Sequence, residues 1–319
     1  MTESGAAAQV TEYKQVGGPR AWTAASVDDP VDWVTNLTEF SLLELESFVA
    51  ETEAERVTET RIDPRTMPSC TRQATPLRQQ IESGRGFVLI DGLDEARFGR
   101  AGSVTAYWAL GQLLGAPFAQ NVEGTLLYDV RDTGQSVTGG ARFSVTNAES
   151  TFHTDNAFNP ALPDVIGLLC QRTAKSGGRS QLISGCSVHD QLCDLGADMA
   201  TLYGEFLFDR RSQHGPDELP YAPHHLFALD GDELVMRYMA YYIEVGHEKA
   251  GTPLTDAQIA ALSALESQLK RQDLMVEFDL LPGQMMFTNN RWILHNRTAF
   301  EDHSTMEDRR HYVRLWLSR

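Results

Sequence analysis

The chain has 319 residues, 42% of them hydrophobic, with 44 Asp and Glu against 27 Lys and Arg, a formal charge of −17. That length can bury a sizeable core in one large domain or two ordinary ones. The acidic balance opposes a nucleic-acid backbone or an anionic membrane as partner, and the absence of an apolar run of about eighteen residues excludes a membrane-spanning helix.

Residues 1–20, small and polar with Gly17-Gly18-Pro19, are expected to form a flexible N-terminal arm. No linker divides the rest of the chain, so residues 21–319 read as one domain. The first residues lack a basic segment followed by an apolar stretch, and cytoplasmic residence is the expectation. Ser41-Leu42-Leu43-Glu44 has a capping-box pattern opening a helix through Phe48 and Val49, and a further helical stretch covers Arg78 to Glu82. Phe87 to Ile90 reads as a buried strand and Ser103 to Leu114 as a helix stopped by Gly115. From Gln120 the texture changes to short β segments, Thr125–Val130, Phe143–Val145, Val165–Cys170 and Gln181–Ile183, spaced as in a sandwich or barrel. Leu192, Leu195, Met199, Leu202 and Tyr203 recur at helical spacing between Ser187 and Phe208.

Arg210 to Pro223 reads as a long loop, and Leu226–Leu229 with Glu233–Arg237 as a hairpin about Asp230-Gly231-Asp232. A helix over Ala257–Arg271 and strands at Met275–Leu280, Met285–Phe287 and Tyr312–Leu317 complete the chain. Cys70, Cys170, Cys186 and Cys193 lack paired short spacings and are expected as incidental thiols in a reducing compartment.

Chemistry concentrates in Phe152-His153-Thr154-Asp155. On a strand, residues two apart share a face, so His153 and Asp155 can converge, and His295 ends a distant apolar run. Two His and one carboxylate suit the facial triad of a non-haem Fe(II) oxygenase; zinc accepts the same set, and a buried histidine bonded to a strand is the plainer alternative. Gly177-Gly178-Arg179-Ser180 puts a hydroxyl after a glycine turn, where backbone can approach a ligand closely. Arg310 and Arg314 share a strand face and supply the local positive charge that an anionic ligand needs in an acidic protein.

Four separated motifs, Phe152 to Phe158, Pro163 to Cys170, Gly177-Gly178-x-Ser180, and Asn289 to Phe300 followed by Arg310 to Leu317, occur in the order that resembles the taurine dioxygenase and chlorophenoxyacetate dioxygenase family. The resemblance covers about Gln120 to the C-terminus, with weaker support from Gly86-Phe87-Val88 and Gly111 to Gly115. It implies an α+β fold with a double-stranded β-helix, or jelly-roll, core decorated with helices, and a reaction using Fe(II), 2-oxoglutarate and O2 that releases succinate and CO2. It implies His153, Asp155 and His295 as iron ligands, Ser180 and Arg310 as 2-oxoglutarate contacts, and Arg314 as a contact to the substrate's acidic group. Asp155 stands where related halogenases carry a small residue, which favours hydroxylation.

Asn121 and Arg297 are further candidates for substrate contact, with Gln120, Tyr128, Arg131, Arg142, Asn289 and Asn290 as weaker ones. The expected function is oxidation, by hydroxylation, of an aliphatic C–H in a small carboxylate-bearing or amino-acid-like molecule. Desaturation, epimerisation and cyclisation use the same ligands and stay open, as does association of copies of the chain. A zinc-dependent hydrolase is the alternative of another class, followed by a non-catalytic jelly-roll binding module.

Overall fold

The structure is a computed structural model that describes residues 13–27, 29–134, 146, 150–211, 213–215 and 217–319. The expected strand Phe143–Val145 and the candidate Arg142 lie outside the described residues.

Two facing sheets form the core. The larger runs in the order Val34–Asn36, Phe87–Asp91, Met285–Asn289, Val165–Arg172, His311–Ser318 and Ala116–Phe118, with Leu127–Val130 also paired to His311–Ser318. The smaller has the order Met275–Phe278, Ser180–Ser184, Ile293–Arg297 and Ser150–His153. Strand alternation lets the larger sheet serve two layers. Val313, Leu315 and Leu317 pack with the helices on its outer side, while Tyr312, Arg314 and Trp316 line a cavity facing the smaller sheet. Val165 and Leu169 against Ile166 and Leu168 repeat this division.

Arg310 keeps the inward parity. His311 lies opposite Arg172 but Tyr312 opposite Cys170, so the extra residue of this irregular pairing, Gln171, is on the partner strand. The expected jelly roll with added helices is the observed architecture.

The helix boundaries differ from expectation for local reasons. Thr38 caps the first helix, Glu39–Glu51, by accepting from the Ser41 N–H. Glu44 instead accepts from the Ser69 and Cys70 N–H groups, at 2.8–3.0 Å, at the start of the helix Pro68–Glu82. Free N–H groups and the positive end of a helix dipole make that site a better home for a carboxylate. The helix at Ser103 begins earlier, at Glu95, and bends at Gly99, where φ is 65°.

The largest departure lies between Ser187 and Phe208. A helix over Gly185–Asp194 stops before Gly196, one turn follows at Met199–Leu202, and Glu205–Asp209 is a strand paired with Tyr221–His225. Phe206 and Phe208 are fully buried and two apart, a strand signal too short to stand out beside a Leu and Met stripe. The expected loop from Arg210 therefore ends in a strand at Tyr221. The helix Ala240–Ala250 has no counterpart in the sequence reading.

The hairpin Phe227–Asp230 with Glu233–Met236 and the Thr255-capped helix Asp256–Leu269 lie where expected. Residues 13–20, expected as part of a loose arm, are docked: Tyr13 stacks on Tyr203 at 4.6 Å, and the Val16 and Gly17 N–H groups donate to Asp190. The four cysteines are free thiols. Among the described residues no helix is long and apolar enough to cross a membrane.

Candidate active site

The cavity between the sheets draws its polar lining from both. Strand Ser150–His153 brings His153, strand Ile293–Arg297 brings His295 and Arg297, strand Ser180–Ser184 begins with Ser180, and the last strand of the larger sheet adds Arg314 and Trp316. Direct pairing of His153 with His295 across the smaller sheet explains why residues so distant in sequence meet, with ring centroids 4.3 Å apart.

Asp155 arrives differently from expectation. The strand ends at His153, so a shared strand face does not carry Asp155 inward. Thr154 turns back onto Tyr238, its N–H donating to the Tyr238 carbonyl and its hydroxyl accepting from the Tyr238 N–H. Asn290, fully buried, then holds the next residue at both ends: its carbonyl accepts from the Asp155 N–H at 2.7 Å and its amide donates to the Asp155 carbonyl at 3.0 Å. The same amide reaches the Pro163 carbonyl. Asn290→Ala leaves these buried groups unsatisfied, at about 1–3 kcal/mol for each. The expected outcome is a urea midpoint lowered by an amount equivalent to about 3 kcal/mol or more, with weakened metal retention.

His153, Asp155 and His295 present ligand atoms within 4.8 Å of one another. Asp155 Oδ1 is 3.6 Å from His153 Nε2 and 3.8 Å from His295 Nε2. Donors on adjacent vertices of a metal sphere, with bonds of about 2.1 Å, stand about 3 Å apart. From Asp155 to each histidine a contraction below 1 Å, on the order of side-chain rotamer adjustment, suffices, and the chemistry of the set fits a divalent ion. His153 donates Nδ1–H to the Thr151 carbonyl at 2.7 Å, which leaves the Nε2 lone pair facing Asp155. Burial, reinforced by His153, pushes the His295 pKa down to about 3, so this ring is neutral and ready to ligate at ordinary pH. Burial alone would raise the Asp155 carboxyl. The Arg314 guanidinium, 3.0 Å from Oδ2, outweighs it and holds the group well below the usual carboxylate range.

Arg310 is 3% exposed, its guanidinium lies 3.8 Å from the Tyr312 ring centroid, and its Nε and Nη1 have no hydrogen-bond partner among the described residues. A buried cation with unmet donors calls for an anion. Ser180 lies in the same cavity, reached through the turn at Gly177 and Gly178, where φ is 71° and 75°. A Cβ at Gly177 would collide with the Ala299 carbonyl, while one at Gly178 would stand in ordinary contact with Arg310 Nε and Phe300, at 3.4 Å. The close approach that this glycine pair permits is thus to the Ala299 backbone, with Arg310 beside Gly178.

The substrate candidates separate. Arg297 lines the cavity, 4.6 Å from the Phe300 ring, and burial together with Arg310 pushes its pKa down to about 9. Arg314 also lines it, but Nη1 donates to Asp155 Oδ2 at 3.0 Å and Nε to Gln120 at 2.8 Å. Gln120 thus stands behind Arg314. Asn121 is outside the lining: its side chain accepts from the Thr125 N–H within a turn. Asn289 donates to the Ile81 carbonyl, and Arg131 to that of Met306. Trp316, Met239, Tyr242 and Phe158 also line the cavity and were not singled out from sequence. For Trp316 a signal existed, since it follows Arg310 and Arg314 at even spacing.

The model of the taurine catabolism dioxygenase TauD, TfdA family matches residues 48–316. The chain belongs to this family. As a TauD/TfdA member it is a 2-oxoglutarate-dependent non-haem iron dioxygenase, and the zinc-hydrolase alternative, which nothing in the family match supports, is set aside. Among similar proteins, FR-33289 synthase of Streptomyces rubellomurinus (strain ATCC 31215) is 27% identical, covering 96% of this chain and 91% of that one. The taurine hydroxylase-like protein SAT17 of Stachybotrys chartarum (strain CBS 109288 / IBT 7711) is 24% identical over 92% of this chain and 77% of its own. The fold of this TauD/TfdA chain matches asparagine oxygenase in complex with Fe(II), 2S,3S-3-hydroxyasparagine and succinate, with a TM-score of 0.64, 18% identity, and coverage of 90% and 93%. It also matches the non-haem iron oxygenase OrfP in complex with Fe, succinate and (3R,4R)-dihydroxy-L-Arg, with a TM-score of 0.65, 18% identity, and coverage of 89% and 94%.

Proposed function

We propose that this dioxygenase hydroxylates an aliphatic C–H of a small amino-acid-like or carboxylate-bearing molecule, with His153, Asp155 and His295 holding Fe(II) and Arg310 and Ser180 holding 2-oxoglutarate. The observation that carries the reading is the buried Arg310 guanidinium, with unmet donors, in the cavity that also holds the two histidines and the aspartate. When bound, the iron supplies coordination of the keto acid and of O2, coupling decarboxylation of the cosubstrate to oxidation of the C–H, with succinate and CO2 released. The protein's own work is orientation. His153 is fixed by Thr151, Asp155 by Asn290, and the Arg310 fork by the flat face of Tyr312.

Phe158, Met239 and Tyr242 give the cavity an apolar side that shields a reacting carbon from water. Arg297 offers the positive charge for a substrate carboxylate, since Arg314 is engaged with Asp155. The amino-acid products bound by asparagine oxygenase and OrfP support the substrate class. Residues 21–319 act as one catalytic domain in this reading. The acidic charge and free thiols support a cytoplasmic enzyme whose partner is a small molecule.

The test is anaerobic titration of the apo-protein with Fe(II) and then 2-oxoglutarate, followed in the visible for the charge-transfer band of the chelate. The band is expected in the wild type and lost in His153→Ala; no band in the wild type overturns the assignment. A panel of amino acids and their decarboxylated amines, scored by succinate release, tests the substrate class. Equal stimulation by the amines sinks it.

A further inference from the structure

Asp155 Oδ2 points away from the histidines and is held by two donors. Trp316 Nε1 donates to it at 2.8 Å and Arg314 Nη1 at 3.0 Å, while Oδ1 faces His153 and His295. Both donors come from one face of the last strand, two residues apart, and Trp316 is 3% exposed. A carboxylate oxygen has two lone pairs, so two N–H donors saturate Oδ2. Arg314 supplies charge; the indole supplies a second bond without adding any.

We infer that Trp316 is a positioning residue that, with Arg314, holds Asp155 as a one-oxygen metal ligand. The inference rests on the proposed iron site and deepens it. A carboxylate free to rotate could place both oxygens on the metal and occupy a position that the keto acid or O2 needs. With Oδ2 tied to the strand behind it, each of the three protein residues would offer the ion one atom, leaving room for the keto acid and O2. The Trp316 ring is steadied in turn by the Arg314 guanidinium at 4.8 Å and by Phe118, whose ring centroid lies 6.3 Å away.

Trp316→Phe keeps an aromatic ring and removes the N–H together with part of the indole's volume, which is why a packing control is needed. Loss of such an outer hydrogen bond to a ligand lowers metal affinity about 10-fold or more. The expected result is that much weaker anaerobic Fe(II) binding, read by competition with a chelator, together with a displaced charge-transfer band on adding 2-oxoglutarate. Phe118→Leu loosens the packing of the same indole but leaves its N–H in place, and wild-type affinity and band are expected there. Wild-type values in Trp316→Phe overturn the inference, as does an equal loss in Phe118→Leu, which would assign the effect to packing.

Absence of the band in the wild type is a different outcome: it removes the proposed iron site and this inference with it. Should Trp316→Phe fail to fold, the Zn(II)-loaded wild type labelled with 15N at tryptophan decides. The Trp316 indole N–H, assigned through its contacts to Phe118, is expected to be protected from exchange, and free exchange overturns the inference.

Discussion

Arg310→Met is expected to raise the KM for 2-oxoglutarate by about 30-fold to a few thousandfold, because removing one member of a buried, hydrogen-bonded charge pair costs about 2–5 kcal/mol. The same substitution should leave the ligand-free protein as stable as the wild type or more so. In the wild type the Arg310 Nε and Nη1 are buried without partners among the described residues, an arrangement that favours the empty state no more than an apolar side chain of similar volume would. A thermal-shift series separates the two effects. At a concentration of about 100 times the wild-type Kd, 2-oxoglutarate stabilises the wild type by about 2.7 kcal/mol, and this increment should fall to about 0.9 kcal/mol or less in Arg310→Met.

Arg310→Lys is expected to recover only part of the affinity, since an ammonium lacks both the fork and the flat face that lies against Tyr312. A variant that loses ligand-free stability but keeps a wild-type KM would assign Arg310 to the scaffold instead.

The inward set on the last strand was legible because alternation is a local rule, and the irregular pairing beside it leaves that rule intact. His295 was legible as the end of an apolar strand run, and His153 from its place two residues before Asp155. The position of Asp155 was not, in its mechanism: the strand stops one residue after Phe152, and a clamp from Asn290, 135 residues away, does what alternation was expected to do. Asn289 and Asn290 are both buried, and an Asn beside another Asn in sequence gives no sign of which one clamps Asp155. Gln120 and Asn121 are a similar pair. One is buried behind Arg314 and the other holds a turn, a difference set by which strands pair rather than by residue type.

Tyr242 and Met239 escaped notice because Met239 to Val245 is rich in aromatic and β-branched residues that argue against a helix. The helix Ala240–Ala250 forms where tertiary packing outweighs that preference: Gly246 lies against the backbone of Leu207, where a Cβ would collide. The run from Ser187 to Phe208 failed for the converse reason. Its apolar spacing satisfies a helix on paper, but Gly196 turns the chain with φ of 66° and breaks the run.

Asp155→Ala is expected to abolish turnover and metal retention, and also to destabilise the metal-free protein, by about 3–5 kcal/mol, the cost of leaving a buried partner charge unpaired. The partner is Arg314, 8% exposed, whose other hydrogen bond goes to neutral Gln120. Trp316 loses its acceptor as well. Asp155→Asn keeps the shape and an acceptor oxygen but not the charge, so it should fall between the wild type and Asp155→Ala in stability while still losing turnover.

The pH dependence has a definite sign. The folded-state carboxyl is depressed, so its contribution to stability is fully present above the unfolded value of about 4 and declines as the pH falls toward the depressed one. Urea midpoints of wild-type and Asp155→Asn apo-protein should therefore be farthest apart near neutrality and draw together on the acid side. Parallel midpoints across that range would mean that Arg314 does not draw its stability from the Asp155 charge, and would leave the metal-ligand role to be judged by Fe(II) affinity alone.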